Sequence, residues 1–236
     1  VYAQAMKVEI PLSFGRIRGH GIRWPLSFIY TSNIPVILVA ALIANVQLWS
    51  RLLQGRLEGT GATSGVIHWI SINIFGQFAG NVPASGLVKW MFAPNLLNEV
   101  FAVIRGGAFN WVALMQALTF ALFMMAGSVL FSVFWVQTAG MDARSQAKQI
   151  MASGLQIPGF RRDERVLESI LKRYIFPLTI MGGLTIGFLA AFADVIGALT
   201  SGTGILLTVM IVYKLYEEIA QQHMMDMYPA LRKMMG

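Results

Sequence analysis

The stretch that decides the fold runs from Gln156 to Arg173 and reads QIPGFRRDERVLESILKR. It is basic and hydrated, and long uncharged runs lie on both sides of it. About 20 apolar residues cross the hydrocarbon of a bilayer, and a charge at its centre is costly. The flanking runs are therefore predicted to lie in lipid. The basic stretch is predicted to lie in water, on a side of the membrane that its charge specifies.

Within this stretch the sequence predicts a turn followed by a short helix. Pro158 and Gly159 mark the turn, and Asp163 or Glu164 suits a first helical turn. The apolar residues that follow recur at the spacing of one helix face: Val166, Leu167, Ile170, Leu171 and Tyr174. Pro177 lies where this helix is expected to turn into the next membrane span.

The composition is that of a multi-pass membrane protein. Of 236 residues, 56% are hydrophobic and 12% are charged, whereas a soluble chain carries roughly twice that charged fraction. The net charge of +7 would suggest nucleic acid or an anionic surface for a soluble protein, but here it can serve as an orientation signal. The chain has no cysteine, which excludes disulfides, thiolate metal sites and thiol nucleophiles.

Four uncharged runs are long enough to cross a bilayer. They hold 27, 36, 20 and 19 residues between successive charged positions. The predicted membrane helices are 24–50, 108–137, 174–194 and 203–236, the last continuing into a cytoplasmic tail. A fifth run, between Glu58 and Lys89, is dilute in apolar residues. The fold class is therefore predicted to be all-α and polytopic.

The distribution of basic residues orients these helices. If the dilute run does not span, one side holds 14 of the 18 Lys and Arg residues; if it spans, the larger share is 12. The positive-inside rule favours the first arrangement. It places 1–23, 138–173 and the carboxy-terminal tail in the cytoplasm, with 51–107 as an outer loop and 195–202 as an outer turn. The start, VYAQAMKVEIPL, reads as the end of a preceding helix, so a carboxy-terminal piece of a longer protein is expected.

Polar and small residues inside the spans indicate what the helices contact. Asn33, Asn45 and Gln47 in the first span either line a cavity or form hydrogen bonds between helices. In the third span, glycines allow helix backbones to approach closely: Gly182, Gly183 and Gly187. Asp194 lies at the predicted outer end of the hairpin formed by the third and fourth spans. It is expected to be a cap or a subunit contact rather than a proton relay. The run Gly202–Gly204 is expected to start the fourth helix, with capping by Thr203 or the backbone.

No catalytic or metal site is predicted. His20, His68 and His223 lie in separate regions without a neighbouring pair of carboxylates. No Ser-His-Asp arrangement, nucleotide loop or carboxylate dyad is present in the sequence, so neither an enzyme nor a cofactor is predicted. The residues alone indicate a polytopic membrane protein that is either a transporter or a channel. The basic loops taken alone could serve only to orient the helices and to contact anionic lipid.

Several stretches resemble the SecY family of protein-conducting channel subunits in its archaeal and eukaryotic form. They are EIPLSFGRIRG, YTSNIPVILVAALIANVQL, IPGFRRDE, LKRYIFPLT and ADVIGALTSGTGILLTVMIVY. They occur in family order over nearly the whole chain, and 51–107 resembles the family least. The resemblance implies the end of the family's sixth helix followed by helices seven to ten, one half of a pseudo-two-fold clamshell.

The resemblance also implies particular sites. Ile37 and Leu207 match an aliphatic ring that closes an hourglass pore, where large apolar side chains exclude water and ions. Asn45 matches a polar position of the lateral gate, and Asn33 is a weaker candidate for the same gate. Arg16 and Arg18 match one ribosome-docking loop, and Arg161, with Arg162 beside it, matches a second.

The partners implied are those of the family. They are the amino-terminal half of SecY, SecE, a small beta-type subunit, the ribosome, signal sequences, nascent polypeptides and the bilayer of the cell membrane. The competing class is a small-solute secondary transporter, which should show convergent polar groups at mid-membrane. A third class, a structural anchor, leaves the SGTGILL run and the paired basic loops unexplained.

Overall fold

The computed structural model describes residues 2–14, 21–31, 33–60, 65–80, 82–156, 163–198 and 201–227. A π-helical turn, Ser71–Phe75, joins the elements of the loop between the first two long helices. In chain order the other elements are α1 (Tyr2–Ala5), β1 (Lys7–Phe14), β2 (Gly21–Ser27), α2 (Ile34–Thr60), α3 (Val66–Ile70), β3 (Phe78–Ala79), β4 (Val82–Pro83), α4 (Gly86–Trp90), α5 (Leu96–Ile104), α6 (Trp111–Thr138), α7 (Ala143–Ala152), β5 (Leu155–Gln156), α8 (Glu164–Val195) and α9 (Gly202–Met227).

Three described helical segments are long and apolar enough to cross a membrane, by length and composition. They are Ile34–Leu57, Trp111–Ala152 and Glu164–Val195, which correspond to most of α2, to α6 with α7, and to α8. The prediction of a helical, polytopic membrane protein is confirmed. In the described part of the dilute run between Glu58 and Lys89 the elements are short, and none of them meets this measure.

The uncharged part of the fourth predicted span is short. The run of 19 uncharged residues before Lys214 includes the turn that precedes α9, and the helix begins only at Gly202. Its uncharged part is Gly202–Tyr213, which extends about 18 Å at 1.5 Å per residue. To cross the bilayer, α9 would need Lys214 to extend its ammonium group to the interface. A fourth span therefore stays a prediction.

The predicted short helix and the third span form one element. α8 is a single helix of 32 residues with Pro177 inside it, so the expected turn at this proline was wrong. The Asp163 side chain accepts a hydrogen bond from the Arg165 backbone N–H at 3.0 Å and caps the helix, as expected. Leu167 and Leu171 are buried, but Tyr174 is 41% exposed. The buried stripe continues instead through the residues that follow at helical spacing: Ile175, Leu178 and Gly182.

The chain starts with the short helix α1, and a β-hairpin follows it where a loop was expected. β1 and β2 pair antiparallel from Lys7 opposite Ser27 to Ser13 opposite Gly21. The alternation of apolar and polar residues from Lys7 to Phe14 is a strand signal that the interpretation by charge spacing overlooked. Two further short strands, β3 and β4, pair in the outer loop.

The helices pack around two apolar clusters. The first cluster joins the hairpin and α7 to α6 and α8. The end of the helix bundle where this cluster and the sheet lie is called the sheet end. The other joins α2, α6 and α8 farther along the bundle. The glycines of α8 permit this packing: a methyl group at Gly187 would lie 2.9 Å from the Met125 Cα, and one at Gly183 would lie 2.7 Å from the Ser132 Oγ. The predicted close approach of helix backbones is present.

Polar residues at the other end of the helices bind the loop between α2 and α6. The Gln54 side chain accepts from the Phe78 backbone N–H at 2.8 Å and donates to the Phe78 carbonyl at 3.2 Å. Gln116 donates to the Phe92 carbonyl at 3.0 Å. These amides satisfy backbone groups of the loop, so the loop is held against the membrane helices.

Candidate functional site

One side of α2 is buried and another is left open. Val36, Val39 and Ile43 recur at helical spacing and face the apolar cluster. Ile37, a ring candidate, is 36% exposed directly beside the fully buried Val36. Its side chain therefore lies at the border between the helix core and the open face.

α9 repeats this arrangement with two adjacent leucines. Leu206 packs against the cluster that contains Val36, whereas Leu207 is 41% exposed. α2 and α9 are in contact. The structure therefore places the two ring candidates on neighbouring helices, each next to a residue of the shared core and each with its own side chain uncovered.

The TSNIP run holds the start of α2 in place. Thr31 is 1% exposed and its Oγ1 lies 3.3 Å from the Ser132 Oγ on α6, a buried hydroxyl pair. Pro35 is fully buried. Val39 packs closely against Gly127 of α6. A methyl group added at Gly127 would lie 2.9 Å from a Val39 methyl carbon. The motif thus fixes the position of the helix that carries Ile37.

The two gate candidates have different surroundings. Asn45 is exposed on α2, and its amide donates to the Ala41 carbonyl one turn earlier at 2.8 Å. Asn33 is 5% exposed, and its backbone carbonyl accepts a hydrogen bond from the Ile37 backbone N–H at 3.2 Å. Asn45 lies about 80° around the helix from Ile37, since eight residues separate them. It is thus on an open face next to that of the ring candidate, whereas Asn33 is in the interior.

The turn between α8 and α9 is organised by a carboxylate. The Asp194 Oδ1 accepts from the Gly202 N–H at 2.6 Å, and the Ser201 Oγ accepts from the Gly204 N–H at 3.3 Å. Both bonds satisfy free N–H groups of the first turn of α9. The cap expected from Asp194 is present, and Ser201 rather than Thr203 supplies the second capping oxygen. A side chain at Gly202 would collide with the Ala190 carbonyl of α8, so this position needs glycine.

The predicted docking residues lie outside the described residues: Arg16, Arg18, Arg161 and Arg162. The strands before them are described. β1 is the central strand of a three-stranded sheet, with β2 on one side and β5 on the other. Because Ser13 pairs with Gln156, the strand residues that precede the two basic segments are neighbours in space.

The sheet is also tied to the helices by polar contacts. The Lys7 Nζ donates to the Glu217 Oε1 on α9 at 2.7 Å, and this hydrogen bond raises the pKa of Lys7 above its ordinary value. The Tyr30 hydroxyl donates to the Met141 carbonyl between α6 and α7 at 2.7 Å. The sequence alone gave no sign of either contact, because each joins residues far apart in the chain. The first contact joins the sheet to α9, which carries Leu207, and the second joins the segment before α2 to the turn between α6 and α7.

The chain is similar to known proteins over its whole length. A family model described as SecY matches residues 1–216. A protein translocase subunit SecY of Methanocaldococcus jannaschii is 40% identical over all of this chain, and one of Pyrococcus furiosus is 43% identical over all of it. This chain covers 49% and 46% of those two relatives. It therefore spans about half the length of the curated relatives that it matches.

Solved structures agree with these relatives. Two chains superpose with a TM-score of 0.70 at 38% identity, over 97% of this chain and 48% of theirs. One is described as a protein conducting channel, and the other as a SecY protein whose plug domain stabilises the closed state of the translocation channel. The family model, the relatives and the solved structures agree, and this chain belongs to the SecY family.

Proposed function

We propose that this chain is the carboxy-terminal half of a protein-conducting channel that translocates secretory proteins and inserts membrane proteins. Support comes from its family and from its match to about half of each relative. The observation that carries the proposal is the pairing of α2 with α9, which leaves Ile37 and Leu207 partly exposed beside a shared core. An aqueous path between two halves needs such open apolar positions on each half.

The ring closes the pore by excluding water. Ile37 and Leu207 contribute branched apolar side chains to a constriction completed by the other half. A narrow apolar constriction dewets and blocks ions. Because side chains rather than backbone form the seal, they can move aside for a polypeptide and then close again. The passage itself needs no chemical step, so the channel is passive and is driven by a partner.

The lateral gate lies along α2 and α6. Asn45 on the open face of α2 is proposed to hydrogen-bond across the closed seam to the other half, exchanging its bond to Ala41. Signal sequences and membrane segments would leave through this seam into lipid. Asn33 takes part indirectly, because it lies in the interior at the start of the same helix.

Docking occurs on the cytoplasmic side, at the sheet end. The basic segments that contain Arg16 and Arg18, and Arg161 and Arg162, contact ribosomal RNA through guanidinium groups that pair with phosphate in a forked geometry. The strands that precede the two segments, β1 and β5, are neighbours in one sheet. The proposed topology keeps 1–23, 138–173 and the carboxy terminus in the cytoplasm of a cell whose surface membrane holds the protein.

The proposed partners complete the pore. They are the amino-terminal half of SecY, SecE, a small beta-type subunit, the ribosome, and the signal sequences and nascent polypeptides that pass through. The ring and the gate each need a second wall, which the amino-terminal half supplies.

Reconstitution tests the proposal against the transporter alternative. The chain is placed in vesicles with and without an amino-terminal five-helix SecY half, together with SecE and the beta-type subunit. A secretory precursor should become protease-protected only when both halves are present and only if its signal sequence is intact.

The control is the same vesicle set with a precursor that lacks its signal sequence. Failure of both halves to protect the precursor would refute the proposal. Saturable uptake of a small solute by the chain alone would instead support the transporter.

A further inference from the structure

A cavity of about 220 Å³ opens at the sheet end, between α6, α7 and α8. It plays no part in the proposed pore, gate or docking segments. Its lining comes from both long helices and from the start of α7: Val133, Val136, Gln137, Asp142, Ala143, Arg144, Glu168, Lys172, Ile175, Phe176 and Thr179.

The lining has an apolar zone and a charged rim. Val133 and Val136 from α6 face Ile175 and Phe176 from α8, and Phe176 is 57% exposed, so this zone is open on its outer side. These residues belong to the uncharged runs of the two membrane helices. The cavity therefore begins where membrane hydrocarbon is expected.

The rim carries both signs of charge. Arg144 and Lys172 supply two cations, and Asp142 and Glu168 supply two carboxylates. Within the part of the chain that the structure describes, the ion pairs join Lys7 to Glu217 and Arg23 to Glu9, so none of the four rim charges is in one. The Asp142 carboxylate accepts a hydrogen bond from the Ser145 N–H at 3.3 Å and caps α7. This bond fixes the carboxylate in its position in the cavity lining.

We propose that this cavity binds one zwitterionic phospholipid with an ammonium–phosphate headgroup. The phosphate contacts Arg144 and Lys172, the ammonium group contacts Glu168 and Asp142, and the upper acyl chain lies against Val133 and Phe176. The balance of two cations and two carboxylates selects this headgroup, because an anionic lipid without an ammonium group leaves both carboxylates facing its phosphate. The apolar zone selects a lipid over a soluble phosphate ester, since only a lipid covers it.

Lipid retention by the purified channel complex tests this site. The complex is equilibrated with vesicles of phosphatidylethanolamine and phosphatidylglycerol in equal amounts and is then extracted in a mild detergent. Native mass spectrometry measures the lipid that stays bound to it. The wild type should retain phosphatidylethanolamine, and soluble phosphoethanolamine should not displace it. Arg144→Gln with Lys172→Gln should lower the retained amount about fivefold, the loss expected for two partly exposed charged contacts.

The matched control is Lys148→Gln with Arg165→Gln. Like the test pair, it removes one charge from α7 and one from α8, but at exposed positions that do not line the cavity. Glu168→Gln should shift retention toward phosphatidylglycerol. Equal loss in the control and test pairs would overturn the proposal, as would wild-type preference for phosphatidylglycerol. A photocrosslinker at the exposed lining residue Phe176 that labels a polypeptide instead of lipid would also overturn it.

Discussion

Phe14 of β1 and Leu155 of β5 are antiparallel register partners, although both membrane helices α2 and α6 lie between them in the chain. Phe14 is the last strand residue before the first basic segment, and Gln156, beside Leu155, is the last before the second. Adjacent strands lie about 5 Å apart. The strands that precede the two segments predicted to dock a ribosome therefore belong to one sheet.

A cysteine pair tests this connection. Ser13→Cys with Gln156→Cys should form a disulfide on mild oxidation, since register partners lie about 4.5–5.5 Å apart between Cα atoms and disulfides span about 4.4–6.8 Å. The chain has no cysteine of its own, so peptide mass spectrometry identifies the bond without ambiguity. The control, Lys7→Cys with Gln156→Cys, places the pair roughly 20 Å apart and should not cross-link. Equal cross-linking of both pairs would contradict the register.

Docking through phosphate contacts predicts a charge-reversal effect. Arg161→Glu should weaken ribosome binding by about tenfold or more, because a charged hydrogen bond is lost and repulsion replaces it. The affinity of the wild type should fall steeply as salt rises, since counterions released on binding are bound again. Cosedimentation over a salt series measures both effects.

The docking control is Arg165→Glu, the same change at an exposed position of α8. An equal loss of affinity in this variant would show that net charge, rather than Arg161, governs binding. Unchanged affinity of Arg161→Glu at physiological salt would remove the docking role.

The gate assignment predicts a gain in tolerance. Asn45→Leu should ease opening by about 1 kcal/mol, because it removes the amide proposed to bond across the seam. Precursors with weakened signal sequences should then be translocated more efficiently in a reconstituted assay. Asn73→Leu is a matched control, since the Asn73 amide also donates to a carbonyl four residues earlier, at 3.0 Å, but lies in the outer loop. If both variants behave alike, Asn45 has no special role at the gate.

The contact between α6 and α8 predicts opposite effects of two identical substitutions. Gly187→Ala should destabilise the protein by about 1–3 kcal/mol, because its methyl group would meet the backbone of Met125 and Met124. Gly55→Ala lies in α2 with no atom within 4 Å of the added carbon, so it should stabilise by about 0.5–1 kcal/mol. Thermal unfolding of the purified complex in detergent compares them. A stable Gly187→Ala protein would contradict the packing.

The sequence predicted the features that charge spacing and small residues control. Uncharged runs identified the helices α2, α6 and α8, and the glycines of α8 indicated where backbones approach. Counting between Asp194 and Lys214 overstated the length of the uncharged helix in α9, because charge spacing alone cannot separate a turn from a helix. Pro177 was expected where a short helix passes into a separate membrane span, but it lies inside the single helix α8, since a membrane helix packed on its neighbours tolerates such a residue.

Long-range pairing could not be predicted in the same way. The contacts of Phe14 with Leu155 and of Lys7 with Glu217 join distant residues, and no local pattern specifies such partners. The alternating pattern of β1 would have predicted a strand but not its second neighbour. Family resemblance, rather than periodicity, singled out Ile37, Leu207 and Asn45.

The central claim is that Ile37 and Leu207 face a polypeptide in transit. A photocrosslinking amino acid is placed at each position, and at Leu42 as a control. Leu42 is 45% exposed on the same helix but lies about 140° around it from Ile37. With a precursor arrested during translocation through the assembled channel, irradiation should give adducts at Ile37 and Leu207 and few at Leu42. Absence of adducts at the two ring positions, or equal labelling at Leu42, would contradict the account.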